Sequence, residues 1–128
     1  MSRAVGTFEV DLKPLTAPED VPGRMSIDKK FSGDLEATSK GEMLAAMGTV
    51  KGSAGYVAME KVTGTLHGRA GTFVLQHSSQ MTGNVPTQSI TVVPDSGTGE
   101  LAGLSGSMTI DIVDKKHFYE FTYEIANA

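Results

Sequence analysis

The sequence predicts an all-β domain, a closed antiparallel barrel of about eight strands, on three observations. Apolar and polar residues alternate with period two along most of the chain, as in strands that bury one face. Turn-forming residues recur at hairpin spacings between those segments. Fifteen glycines without a repeating period, set among many Ser and Thr, favour tight turns and close strand approaches over long helices.

Taken in order, residues 6–13 form the first strand, with Phe8, Val10 and Leu12 on one face and Thr7, Glu9, Asp11 and Lys13 on the other. Residues 14–23 carry Pro14, Pro18 and Pro22 beside Glu19 and Asp20, and read as an exposed loop. The longest alternation covers residues 25–38, where Met25, Ile27, Phe31, Leu35 and Ala37 share a face that Lys29 interrupts. It reads as one long, tilted barrel strand that bends at Gly33. Residues 41–50 contain helix formers, but the run between Gly41 and Gly48 is too short for a stable helix, so a strand is expected.

Residues 56–66 and 72–81 pair as a hairpin around turn chemistry at 67–71. A β-branched strand at 88–93 ends at Pro94, and residues 95–99 turn the chain into a strand at 101–113. There Met108, Ile110 and Ile112 oppose Ser107, Thr109 and Asp111. After a polar turn at 114–116, the last strand, 117–125, aligns Tyr119, Phe121, Tyr123 and Ile125 on one face.

At 128 residues the chain fits a single domain over residues 1–128. With 39% hydrophobic and 20% charged residues it falls in the globular class, away from disorder. A net charge of −4, with the 11 Lys and Arg scattered along the chain, argues against a nucleic-acid partner. No apolar stretch is long enough to span a bilayer, so no membrane partner is expected. The lack of cysteine removes disulfides and thiolate chemistry, and a cytoplasmic location follows as the expectation.

Neither a cofactor nor a metal is expected. Gly97-x-Gly99 followed by Gly103 fails the dinucleotide spacing. Asp95-Ser96-Gly97 occurs once, behind Pro94, and is turn chemistry rather than half of a carboxylate dyad. His67, His77 and His117 stand at separations that make no local metal motif. Two strands are apolar on both faces, through Val57, Met59 and Val62 with Tyr56 and Ala58, and through Phe73 and Leu75 with Val74. A homo-oligomer would cover the outer face.

Six residues are candidates for a ligand pocket: Tyr56, Glu60, His77, Tyr119, Phe121 and Phe31. His77 shares a face with Phe73, Leu75, Ser79 and Met81, so the pleat that buries those carries an imidazole inward. Glu60 lies with Tyr56, Ala58 and Val62, and the two faces of its strand are too alike to decide which points in. If inward, burial would raise its pKa, and with His77 beside it the pair would suit acid–base chemistry; if outward, it makes a surface salt bridge. Tyr119 and Tyr123, with Phe31 and Phe121, give an aromatic inner lining with hydroxyl handles, which core packing also explains. Lys29 is expected to snorkel at the rim.

The segment from Gly97-Thr98-Gly99-Glu100-Leu101-Ala102-Gly103-Leu104-Ser105-Gly106-Ser107-Met108-Thr109-Ile110 to His117-Phe118-Tyr119-Glu120-Phe121 resembles the closing hairpin of the allene oxide cyclase and dirigent barrels. Over nearly its full length the chain resembles a group of small bacterial proteins of undefined function, DUF3224. The likeness is carried by Gly6-Thr7-Phe8-Glu9-Val10, Phe31-Ser32-Gly33-Asp34-Leu35, Gly64-Thr65-Leu66-His67-Gly68, Phe73-Val74-Leu75-Gln76-His77 and Val92-Val93-Pro94-Asp95-Ser96-Gly97-Thr98-Gly99. The resemblance implies an eight-stranded antiparallel barrel that often self-associates, and it supplies no activity. The plant cyclases hold substrate inside the barrel next to a carboxylate, with a cysteine nearby that this chain lacks. The leading expectation is a protein that binds a small apolar molecule inside the barrel. Two others stand beside it: a cofactor-free isomerase or cyclase using Glu60 with His77, and a self-assembling or partner-binding module without a ligand.

Overall fold

The computed structural model describes residues 1–16 and 22–126. Eight strands run in chain order and close on themselves: β1 (Ser2–Leu15), β2 (Gly23–Gly33), β3 (Leu35–Met47), β4 (Ala54–Leu66), β5 (Arg69–Thr82), β6 (Val85–Val92), β7 (Leu104–Val113) and β8 (Lys116–Ile125). Every neighbouring pair is antiparallel, and β8 closes the ring by pairing with β1 from Ser2↔Tyr123 to Phe8↔His117. The sequence-predicted barrel is therefore the observed one. Closure leaves free sheet edge along the β6–β7 seam.

Several boundaries differ from expectation, each for a local reason. The alternation over residues 25–38 is two strands rather than one bent strand. Gly33 adopts φ +109°, a conformation open to glycine, and with Asp34 it folds β3 back on β2 from the pair Phe31↔Ala37. The inward row keeps its parity through this turn, so periodicity alone could not reveal it. Pro14 lies in β1, not in a loop, paired with Met25; of the expected loop at 14–23, residues 17–21 lie outside the described residues. The segment from residue 101 begins with a single 3₁₀ turn, Gly99–Leu101, and β7 starts only at Leu104. Residues 41–50 are strand as far as Met47.

The interior divides into two halves. At the end that holds the β2–β3 and β4–β5 turns it is solid: Leu35, Leu66, Phe73, Leu101, Leu104 and Phe121 are all buried. The segment after β6 plugs this end. Thr98 N donates to Thr72 O at 2.8 Å, the two threonine hydroxyls meet at 2.6 Å, and Leu101 is driven into the core. Phe73, Phe121 and Tyr123 stack in sequence, with ring centroids 5.8 and 5.4 Å apart.

Toward the other end the barrel loosens at one seam. β6 and β7 share a single registered pair, Thr91↔Ser107. Past it the Gln88 side chain takes over, its Oε1 accepting from Ile110 N at 3.2 Å. Pro86 is tolerated in β6 because its missing N–H faces this unpaired side. On the outer surface Val57 and Met59 of β4 are exposed, as expected for a strand apolar on both faces, and Leu44 of the neighbouring β3 is exposed beside them.

Candidate functional site

Strand register stacks the inward side chains of β3 to β6 into layers. Outermost at the loose end is Met47↔Ala54↔Met81↔Pro86, followed by Ala45↔Tyr56↔Ser79↔Gln88. Deeper come Met43↔Ala58↔His77↔Ile90 and then Gly41↔Glu60↔Leu75↔Val92. The two outer layers, with Ile112 from β7, enclose a cavity of about 410 Å³ open at the barrel mouth. That size falls in the ordinary range for small-molecule sites. Its lining is apolar apart from Tyr56, Ser79, Gln80, Thr87 and Gln88.

Beneath the mouth lies a buried polar knot. Glu60 points inward and is 1% exposed, which settles the face of its strand. Its Oε2 accepts from Lys29 Nζ at 2.8 Å and from His77 Nε2 at 2.6 Å, and its Oε1 accepts from Ser39 Oγ at 2.8 Å. Gly41 makes this possible: a Cβ there would lie 1.9 Å from Met59 O and 2.7 Å from the Glu60 Cα, so only glycine lets β3 approach β4 beside the carboxylate.

Burial, the largest single influence on Glu60, pushes its pKa up. The His77 hydrogen bond and the charges of Lys29 and His77 outweigh it and hold the carboxyl at about 2. The expectation of a raised pKa is thereby corrected: its desolvation argument was sound, but it left out the cation. Lys29, expected at the rim, is instead an interior residue whose ammonium meets Glu60 and lies 4.9 Å from the Phe8 ring centroid and 5.8 Å from that of Phe31.

An ionised carboxylate only accepts hydrogen bonds, so His77 donates through Nε2. Among the described residues no group bonds Nδ1. The Tyr56 ring stands 6.5 Å from the imidazole, on the mouth side. One inward position further out, Ser79 Oγ is buried and has no hydrogen-bond partner.

The six candidate residues separate into two groups. Tyr56 lines the mouth, and Glu60 and His77 lie together in the buried layers beneath it. Phe31, Tyr119 and Phe121 sit in the packed core. Phe31 and Tyr119 meet edge-on at 5.7 Å, and the Tyr119 hydroxyl accepts from Leu35 N at 2.9 Å and donates to Ser32 O at 3.0 Å, clamping the β2–β3 turn. Sequence reasoning missed Ser39, Gln88 and Ile112. For Ser39 a signal existed: it is a polar residue in the inward row of Leu35 and Ala37. The other histidines lie elsewhere, His67 against Tyr123 and Asp34, and His117 against Phe8. Among the described residues no helix is long and apolar enough to cross a membrane.

The model of one protein family, described as a protein of unknown function (DUF3224), matches residues 4–123. A crystal structure of a protein with unknown function from that family, from Shewanella oneidensis MR-1, is similar to this chain at 50% identity with a TM-score of 0.93, covering 99% of both chains. No curated protein matches the chain.

Proposed function

The chain belongs to the DUF3224 family, and from that premise and the geometry of its barrel we propose that it binds a small apolar ligand in the open mouth. The observation that carries this reading is the cavity left between the two outermost layers. Small barrels commonly fill themselves with their own side chains, and this one does so everywhere but at the mouth. The mouth is walled by Ala45, Tyr56, Met81 and Ile112, which offer apolar surface, and methionine adapts its shape to what it meets.

The acid–base alternative draws on the Glu60–His77 contact. Glu60 serves it poorly as an acid, because a carboxyl held at about 2 has no proton to give near neutral pH. In the binding reading the same contact has a simpler role: it holds the buried layers beneath the cavity together.

The test uses N-phenyl-1-naphthylamine, a neutral dye that brightens in apolar surroundings. Ala45 is half-buried at the mouth, where an indole would occupy the space. Ala45→Trp is expected to weaken dye binding by about tenfold or more while leaving the urea midpoint near that of the wild type. Equal dye affinity in the two proteins would remove the mouth as the site.

A further inference from the structure

We infer that the protein pairs edge to edge with a second copy of itself through β1, residues 9–15 of one protomer lying antiparallel to the same residues of the other. The inference is independent of the ligand reading above.

β1 outruns one of its neighbours. It pairs with β2 as far as Leu15↔Arg24, but with β8 only as far as Phe8↔His117, close to where the β7–β8 hairpin turns. Among the described residues no strand covers the other edge of residues 9–15. Val5 O accepts from Asp34 N, just past β2, at 3.1 Å, so odd residues of β1 aim their backbone groups at β2 and even ones away from it. Val10 and Leu12 therefore each present an N–H and a carbonyl on the free edge, and Pro14 presents a carbonyl. Such an edge is a template for another strand.

Charge identifies the occupant and its register. Asp11 and Lys13 stand exposed on the outward face, with Lys13 Nζ 3.5 Å from Asp11 Oδ2. On the β2 side Asp11 lies directly opposite Asp28, a like charge. A two-fold axis at Leu12 puts Asp11 opposite the partner's Lys13, and Lys13 opposite the partner's Asp11. Each Asp11 then gains a cation on the side away from Asp28. A slip of two residues would instead oppose Asp11 to the partner's Asp11, or Lys13 to the partner's Lys13, so the charges select one register. In that register the two Leu12 residues exchange backbone bonds, and each Val10 N–H reaches the partner's Pro14 carbonyl. The Leu12 side chain, 42% exposed in the single chain, meets its own copy. A contact of one short strand per protomer is small, so the association is reversible, with a Kd on the order of tens of micromolar.

Sedimentation velocity of the full chain from about 5 to 500 µM tests it, with Asp11→Lys and Lys13→Asp as exposed-site variants. The wild type is expected to move from monomer to dimer across that range. Each variant alone opposes like charges twice and is expected to associate at least about tenfold more weakly. An equal mixture of the two variants is expected to dimerise again, because the cations of one meet the carboxylates of the other. A wild type that stays monomeric throughout overturns the inference. So do single variants that associate like the wild type, or a mixture that associates no better than either variant alone.

Discussion

Lys29→Met is expected to lower stability by about 3 kcal/mol, read as a fall in the urea midpoint, because it removes the ammonium that pairs with a buried carboxylate and leaves only His77 and Ser39 to satisfy it. The interaction it removes lies inside the barrel: the ammonium is 2.8 Å from Glu60 Oε2, with side chains 7% and 0% exposed. Methionine nearly matches the lysine stem in length, so the loss reports charge more than packing. Removing the stranded charge as well should recover part of the loss, so Lys29→Met with Glu60→Gln is expected to be more stable than Lys29→Met alone. A single variant as stable as the wild type, or a double variant less stable than the single, would show that the pair is not the buried unit described.

The second large effect is on acid stability. Glu60 has a folded-state pKa of about 2, below its ordinary value of 4.5. A carboxyl depressed by folding stabilises the native state fully above its unfolded pKa, and that contribution is lost as pH falls through the window toward the folded value. For Glu60 the window runs from just above 4.5 down to about 2, and the stability at stake is on the order of 3 kcal/mol. Other carboxylates titrate in the same range, so the comparison is with Glu60→Gln. That variant is expected to be less stable at pH 6 and to lose less between pH 6 and pH 2.5. Parallel urea midpoints for the two proteins across that range would contradict the assignment.

The strands were legible in the sequence because inward and outward residues alternate with a period that nothing else in the chain imitates. The open mouth was not. Phe31, Tyr119 and Phe121 and the mouth residues Met81 and Ile112 carry the same inward parity, and only register separates those buried under the plug from those near the opening. The plug itself, Leu101 on its 3₁₀ turn, is sealed by contacts with Thr72 and neighbours far away in sequence. The polar knot lay between these cases. His77 reads as inward from its neighbours on β5, whereas Glu60 does not, because its strand is apolar on both faces. Lys29 breaks an apolar row, and a snorkelling lysine and a buried one look alike until β4, one strand beyond its neighbour β3, supplies a carboxylate.

The chain carries its own reporters for the central claim that the mouth is the ligand chamber. Met47 and Met81 line the mouth, Met108 is 2% exposed in the packed interior, and Met59 lies on the outer face. Methyl-labelled methionine NMR during titration with 2-naphthol and, separately, naphthalene tests it most directly. Shifts concentrated at Met47 and Met81, with Met59 and Met108 nearly still, are the predicted result. Shifts led by Met59, or no shift at any methionine with either compound, would contradict it.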